Sequence, residues 1–408
     1  MTVDAPPQQA RLKRSLTLPY VVLYGLGVTI GAGIYVLVGE AAGRAGHQAP
    51  IAFIIAGIVM VFPVASFAEL AGRLPFAAGE ARFVDAAFGK DWLTLAVGLA
   101  VAGVGLVSSA AIGLGSAGYV LSLTGGSLHL VFSTIIVAMG AIAALGIRQS
   151  ILIAGVLTLV EAGGLIAIIT GALVDQPRLL TRLPEIMPSE WTLAPVGAIA
   201  SASLLAFFAF IGFEDIDSLA EETKDPQRTL PRAMFATLVV SMVLYVGVTA
   251  VAVLTVEPET LAADTAPLAT VFHAVTGAPG TVITAIAILA TLNGVIVQII
   301  MVARVLYGLA SAKRLPGILA RIHPRTGTPV VATVFATAVI VLLGLAFPIG
   351  PLAEWTSRIT LSIFVVVCAA LMVIKRQGTP APAGTFIVPM WVPAIGMVLN
   401  LALLFAGG

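Results

Sequence analysis

Between positions 92 and 147 the chain contains no Asp, Glu, Lys or Arg. A stretch of that length without charge has no polar face to turn toward water, so it folds where its surroundings are apolar on every side. At about 20 residues per membrane crossing it holds two spans, which turn at Gly125 and Gly126. The pattern recurs along the whole chain. Apolar runs occupy 15–39, 45–68, 149–174, 191–213, 233–256, 265–303, 326–353, 359–374 and 386–406, the run 149–174 being interrupted only by Glu161. The run 265–303 reads as a loop followed by one span. The expectation is an all-α polytopic membrane protein with about eleven transmembrane helices. Charged residues are only 10% of the chain and hydrophobic ones 59%, against roughly a quarter charged in a soluble domain.

Basic residues orient this stack. With the N-terminal tail 1–14 in the cytoplasm, the alternation of spans leaves Arg44, Arg178, Arg182 and Arg358 outside and Arg304 within a span. The other sixteen of the 21 lysines and arginines fall inside. The chain is therefore expected in the cell (inner) membrane as a multi-pass protein with a cytoplasmic N-terminus. A net charge of +1 suggests no nucleic-acid partner. The one cysteine, Cys368, sits in an apolar run as a small packing residue, and His47, His129, His273 and His323 show no metal-ligand spacing. There is no P-loop and no HExxH pair, and GLGVTIG has neither the spacing nor the preceding strand of a dinucleotide fingerprint. No cofactor, metal or catalytic residue is expected, and the chain is read as not being an enzyme.

Two spans carry glycine at mid-depth. The first contains TIGAGI at 29–34, with Gly31 and Gly33; the sixth contains FFAFIGFE at 207–214, with Gly212. Glycine weakens a helix and admits backbone geometries that other residues avoid. Backbone freed at membrane depth survives only where it faces a cavity or a ligand. Paired interruptions of this kind point to a transporter site built from half-helices. The outer half of the first span would begin near Gly33 and offer amide hydrogens and a positive dipole end to a carboxylate. The outer half of the sixth would end near Phe207 and Phe208 and offer carbonyls to an ammonium. Close packing of helices is the competing explanation for such glycines.

These residues resemble a known family. TIGAGIY with the following VLVGEAAGRAG, FFAFIGFEDIDSLAEETKDPQRTLPRA, FAELAGRLPFAAGEARFVDAAFG and RVLYGLASAKRLPGILARIHPRTGTP look like segments of the amino acid–polyamine–organocation (APC) superfamily, in the right order over most of 15–375. The resemblance implies a five-plus-five inverted repeat with helices 1 and 6 discontinuous. The first repeat would cover 15–175, the second 190–375, and an additional helix 11 would cover 385–408. It implies substrate carboxylate contacts around Ile30, Gly31, Ala32 and Gly33, and amino-group contacts around Phe207, Phe208 and Ile211, with Phe208 at the place of an aromatic gate. The chain departs from the family in three places. Many relatives have twelve helices. The usual Gly-Gly-x-Tyr after the second span is Gly79-Glu80-Ala81-Arg82, a change with no physical account from sequence. And Glu161 stands where relatives often carry a lysine.

Glu161 is the one formal charge between Arg148 and Asp175, near the middle of its span. An ionised carboxylate there is costly unless paired, so Glu161 either takes up a proton or holds a cation during transport, or is a protonated acid bonded between helices. Glu214 follows the sixth-span break toward the cytoplasm and is a second coupling candidate. Asn293 either lines the pathway or bonds a neighbouring helix. The reading is a secondary active transporter, working by alternating access, for an amino acid or related amine, proton-coupled or exchanging, with proton or sodium as the possible partner ion. A channel for a small polar solute is the alternative, but sparse polar groups favour a closed site over a continuous pore.

Overall fold

A computed structural model describes residues 14–31, 33–74, 79–146, 151–190 and 192–406. Sixteen α-helices make up almost all of it: α1 Leu18–Ile30, α2 Gly33–Ala45, α3 Ala49–Arg73, α4 Gly79–Phe88, α5 Asp91–Thr124, α6 Leu128–Leu145, α7 Ile151–Asp175, α8 Leu179–Arg182, α9 Leu193–Ala209, α10 Pro226–Thr255, α11 Pro258–Ala263, α12 Pro267–Thr276, α13 Thr281–Ser311, α14 Val330–Ala346, α15 Ile349–Arg376 and α16 Trp391–Phe405. The described residues form no strand beyond an isolated parallel bridge between Leu16 and Thr223. Eight of their helical segments are long and apolar enough to cross a membrane. Helices α1, α14 and α16 are shorter and equally apolar, and all of these coincide with the apolar runs of the sequence. The longest, α5, has 34 residues and is about 50 Å long, more than the hydrocarbon thickness requires.

The turns sit where the chain supplies them. Gly125 and Gly126, between α5 and α6, have φ of 67° and 113°, a region closed to most side chains. Pro19, Pro50, Pro226 and Pro267 stand in the first turns of α1, α3, α10 and α12, where a missing amide hydrogen costs nothing.

Several helices overrun the charge-free limits. Helix α3 continues beyond 68 to Arg73, because the fully buried Glu69 is neutralised in place. Its carboxylate takes Arg73 at 2.8 Å, Lys375 of α15 at 2.7 Å and the amide of Val388 at 2.8 Å. Helix α15 starts ten residues before 359, with Glu354 bonded to Arg358 of its own helix and to Arg44 of α2. A rule that stops a span at each charge cannot see pairing. The amphipathic α4 and the short α12 also lay outside the sequence expectation.

In the core, α13 lies along α5, α10 along α3, α1 against α10, and α2 against α9. At its start, α1 is clipped to the segment leading into α10. Ser15 and Leu16 both donate to the carbonyl of Glu222, at 2.9 and 3.0 Å, and Lys224 donates to Leu16 at 2.9 Å.

Candidate functional site

Both glycine-bearing spans are interrupted. Helix α1 stops at Ile30, Gly31 follows in a turn, and α2 begins at Gly33. Ala32 lies outside the described residues. Helix α9 stops at Ala209. The chain then turns through Phe210, Ile211 and Gly212, whose φ is 123°, and resumes as a 3-10 helix over Phe213–Leu219.

The breaks are pressed together. A Cβ on Gly33 would lie 2.5 Å from the Cα of Ala209, and one on Gly212 would lie 2.9 Å from Val28 Cγ1 and 3.1 Å from its carbonyl oxygen. Each interrupted helix thus puts a bare glycine against the backbone of the other. Tyr245 of α10 spans the junction, its hydroxyl donating to the carbonyl of Thr29 at 2.7 Å and to that of Ala209 at 3.0 Å. Two further buried tyrosines brace α2: Tyr35 donates to the carbonyl of Glu161 at 2.7 Å, and Tyr119 donates to the carbonyl of Tyr35 at 2.8 Å. The first turn of α2 leaves amide hydrogens that its own helix cannot take.

Two cavities adjoin the breaks. The larger, about 480 Å³, is within the range of small-molecule sites. It is lined by Ile211, Gly212, Glu214, Asp215 and Asp217 from the sixth span, Glu80 of α4, Arg304 of α13 and Thr360 and Phe364 of α15, among others. The smaller, about 170 Å³, is lined by Gly27 and Gly31 of α1, Thr158 of α7 and Asn293 of α13, among others. Tyr24, Val297 and Gln298 line both.

The candidate residues divide accordingly. Gly31, Asn293, Ile211 and Glu214 line a cavity. Glu214 also receives the amide of Gly212 at 2.8 Å. Glu161 is 1% exposed, and neither of its carboxylate oxygens has a hydrogen-bond partner. Its Oε2 lies 3.7 Å from where a Cβ on Gly31 would stand. Ile30 is buried. Phe207 lines neither cavity: it packs edge-on to Phe364, ring centres 6.0 Å apart. Phe208 is buried in the apolar cluster that holds Leu37, Ile112 and Ile299 and also lines neither. Their carbonyls are not bare: Phe207 accepts the amide of Phe210 and Phe208 that of Ile211, each at 3.1 Å. The turn that breaks the helix thus already uses one of the two acceptor positions on each of these carbonyls. Tyr24, Tyr245 and Gln298 went unremarked in the sequence. Gln298, one of the two amide side chains in the charge-free run 265–303, carried the one signal that could have marked it.

Residues 16–407 match the family model described as amino acid permease. The chain belongs to the amino acid permease family. The permease is 28% identical to "Branched-chain amino acid permease BcaP" of Bacillus subtilis (strain 168), over 99% of this chain and 89% of that one. It is 28% identical to "Cationic amino acid transporter 2, vacuolar" of Arabidopsis thaliana, over 90% of this chain and 60% of that one. It is also 29% identical to an uncharacterised transporter of Mycobacterium tuberculosis, over 97% of this chain and 86% of that one. The resemblance read from four short motifs therefore extends over nearly the whole permease.

Proposed function

We propose that this permease carries an amino acid or a closely related amine across the inner membrane by alternating access, and that it is a carrier and not an enzyme. One observation carries the reading: two interrupted helices cross backbone to backbone at their glycines, beside two neighbouring cavities lined in part by polar groups. The first turn of α2 offers a carboxylate amide hydrogens and a dipole end, an attraction of up to about 2 kcal/mol when partly buried. With the turn carbonyls of Phe207 and Phe208 already engaged, the amino group is assigned to the acceptors beside Gly31, among them Asn293 and the Glu161 carboxylate. The boundaries 15–175 and 190–375 for two inverted repeats, the eleven spans and the cytoplasmic N-terminus belong to the same reading.

Glu161 is the coupling residue in this scheme. It is buried, unpartnered and close to Gly31, so it is stable there with a proton, or with a cation beside it. Glu214, in the wall of the larger cavity, is the second coupling residue of this reading. The decisive experiment is uptake of a panel of labelled amino acids into proteoliposomes at several values of pH, for the wild type and Glu161→Gln. Saturable uptake with counterflow supports the carrier, and loss of its pH dependence in the variant supports coupling. Current that grows linearly with driving force, without saturation, would make the protein a channel.

A further inference from the structure

Between Asp264 and Glu354 the chain has no acidic residue, yet the connection from α13 to α14 carries Lys313, Arg314, Arg321 and Arg325. Arg314 is paired with Asp91 of α5. Lys313, Arg321 and Arg325 are exposed, and none has an ion-pair partner among the described residues. The connection is held in place. Leu315 and Leu319 turn inward onto the apolar cluster of Leu306, Ala332 and Ala336. Thr328 donates to the carbonyl of Ala144, at the end of α6, at 2.7 Å. Ile318 and Ile322 stand away from that cluster and are 50% and 51% exposed. Two bare isoleucines among unpaired cations suit the border of a bilayer, where apolar side chains enter the acyl region and cations meet phosphates. The loop lies at that border: α13 and α14 on either side of it are apolar, and Val334 and Phe335, just inside α14, are exposed.

Lys313 supplies an independent observation. Its φ is 59°, in the left-handed region. Its amide donates to the carbonyl of Ala310 at 3.0 Å, and that of Arg314 donates to Leu309 at 2.9 Å, the pattern in which glycine ordinarily closes a helix. A lysine there is under steric strain that glycine would relieve. What the lysine adds is a positive charge at the membrane surface.

We propose that the loop 313–325 is a docking site for the headgroups of anionic phospholipids, with Lys313, Arg321 and Arg325 on the phosphates and Ile318 and Ile322 inserted beside them. A zwitterionic lipid presents the same phosphate with its charge cancelled by choline, so the site selects lipids of net negative charge. None of these residues lines either cavity, and the assignment does not depend on what the permease carries.

The test titrates full-length protein in neutral detergent with short-chain phosphatidylglycerol, with phosphatidylcholine of the same chain length, and with inorganic phosphate, following binding by thermophoresis. The expected result is saturable binding of phosphatidylglycerol alone, weakened about fivefold by each of Arg321→Gln, Arg325→Gln and Lys313→Gly. Glycine fits the backbone at 313, so Lys313→Gly should melt no lower than the wild type, and its weaker binding then reports the lost charge. Equal binding of the two lipids, or wild-type affinity in the three variants, overturns the proposal. Inorganic phosphate that competes as well as phosphatidylglycerol overturns it in favour of a free-anion site. A second measurement places a fluorophore on Ile318→Cys, the native Cys368 being buried, in vesicles of phosphatidylcholine and phosphatidylglycerol in equal parts. Quenching by brominated acyl chains is expected. Quenching by aqueous iodide alone would leave the isoleucines to a soluble protein partner and overturn the lipid assignment.

Discussion

The hydroxyl of Tyr245 lies 2.7 Å from the carbonyl oxygen of Thr29 and 3.0 Å from that of Ala209, so one proton serves the open ends of two interrupted helices. Replacing the tyrosine with phenylalanine keeps the ring and leaves both carbonyls short of a donor. An unsatisfied buried acceptor costs about 1–3 kcal/mol. Tyr245→Phe should lower the thermal midpoint of the detergent-purified protein and slow initial uptake, while Tyr245→Ala, which also empties the ring's place against Phe53 and Phe210, should do both more severely.

Gly33 and Gly163 make a matched pair for testing whether the helix crossing needs bare backbone. A methyl group on Gly33 would meet the Cα of Ala209 at 2.5 Å, whereas one on Gly163 of α7 would meet nothing within 4 Å. Gly33→Ala should cut uptake at least tenfold or prevent folding. Gly163→Ala should match the wild type in expression and rate. Equal behaviour of the two variants would contradict the close approach.

The buried Glu69 is held by two cations, which makes its neighbours unequal. Lys375→Met leaves Arg73 at 2.8 Å to balance the acid, while Glu69→Gln leaves two cations facing a neutral amide. Breaking a buried pair from one side costs about 3–5 kcal/mol. The glutamine variant should therefore show the larger fall in thermal midpoint. The segment 377–390 should become the more open to protease in both, because Lys375 and Glu69 also bond Val388 in that segment.

A pH effect is expected from Glu80, on α4. Burial raises its carboxyl above the ordinary value of 4.5. The folded state then keeps this proton to a higher pH than the unfolded chain does, so its contribution to stability is full below 4.5 and declines as pH rises above it. Glu80→Gln removes that decline. Thermal midpoints measured from pH 4 to 8 should fall less steeply in the variant, and an unchanged slope would remove Glu80 from the account.

Much of this molecule could be read from residue order because lipid imposes one simple condition. Charge-free runs found the apolar helices, and Gly125-Gly126 found the turn between α5 and α6. The glycines at 31, 33 and 212 located both interruptions. Two misplaced ends, those of α3 and α15, have one cause: Glu69, Glu354 and Arg358 lie inside helices because each is paired with a residue distant in the chain or one turn away. Of the residues named from the sequence, Gly31 and Ile211 line a cavity beside the breaks. The site was illegible where a third element intervenes. Nothing local to Tyr245 reveals that its hydroxyl reaches Thr29, 216 positions earlier, and nothing local to Phe208 reveals that its carbonyl is bonded within the turn.

The three main-chain bonds that zip residues 15 and 16 to 222 and 224 constrain any rearrangement. Helix α1 cannot swing away alone, since its start is laced to the lead-in of α10 as two threads are by a stitch. Whatever moves α1 must therefore carry both together, or undo the stitch first.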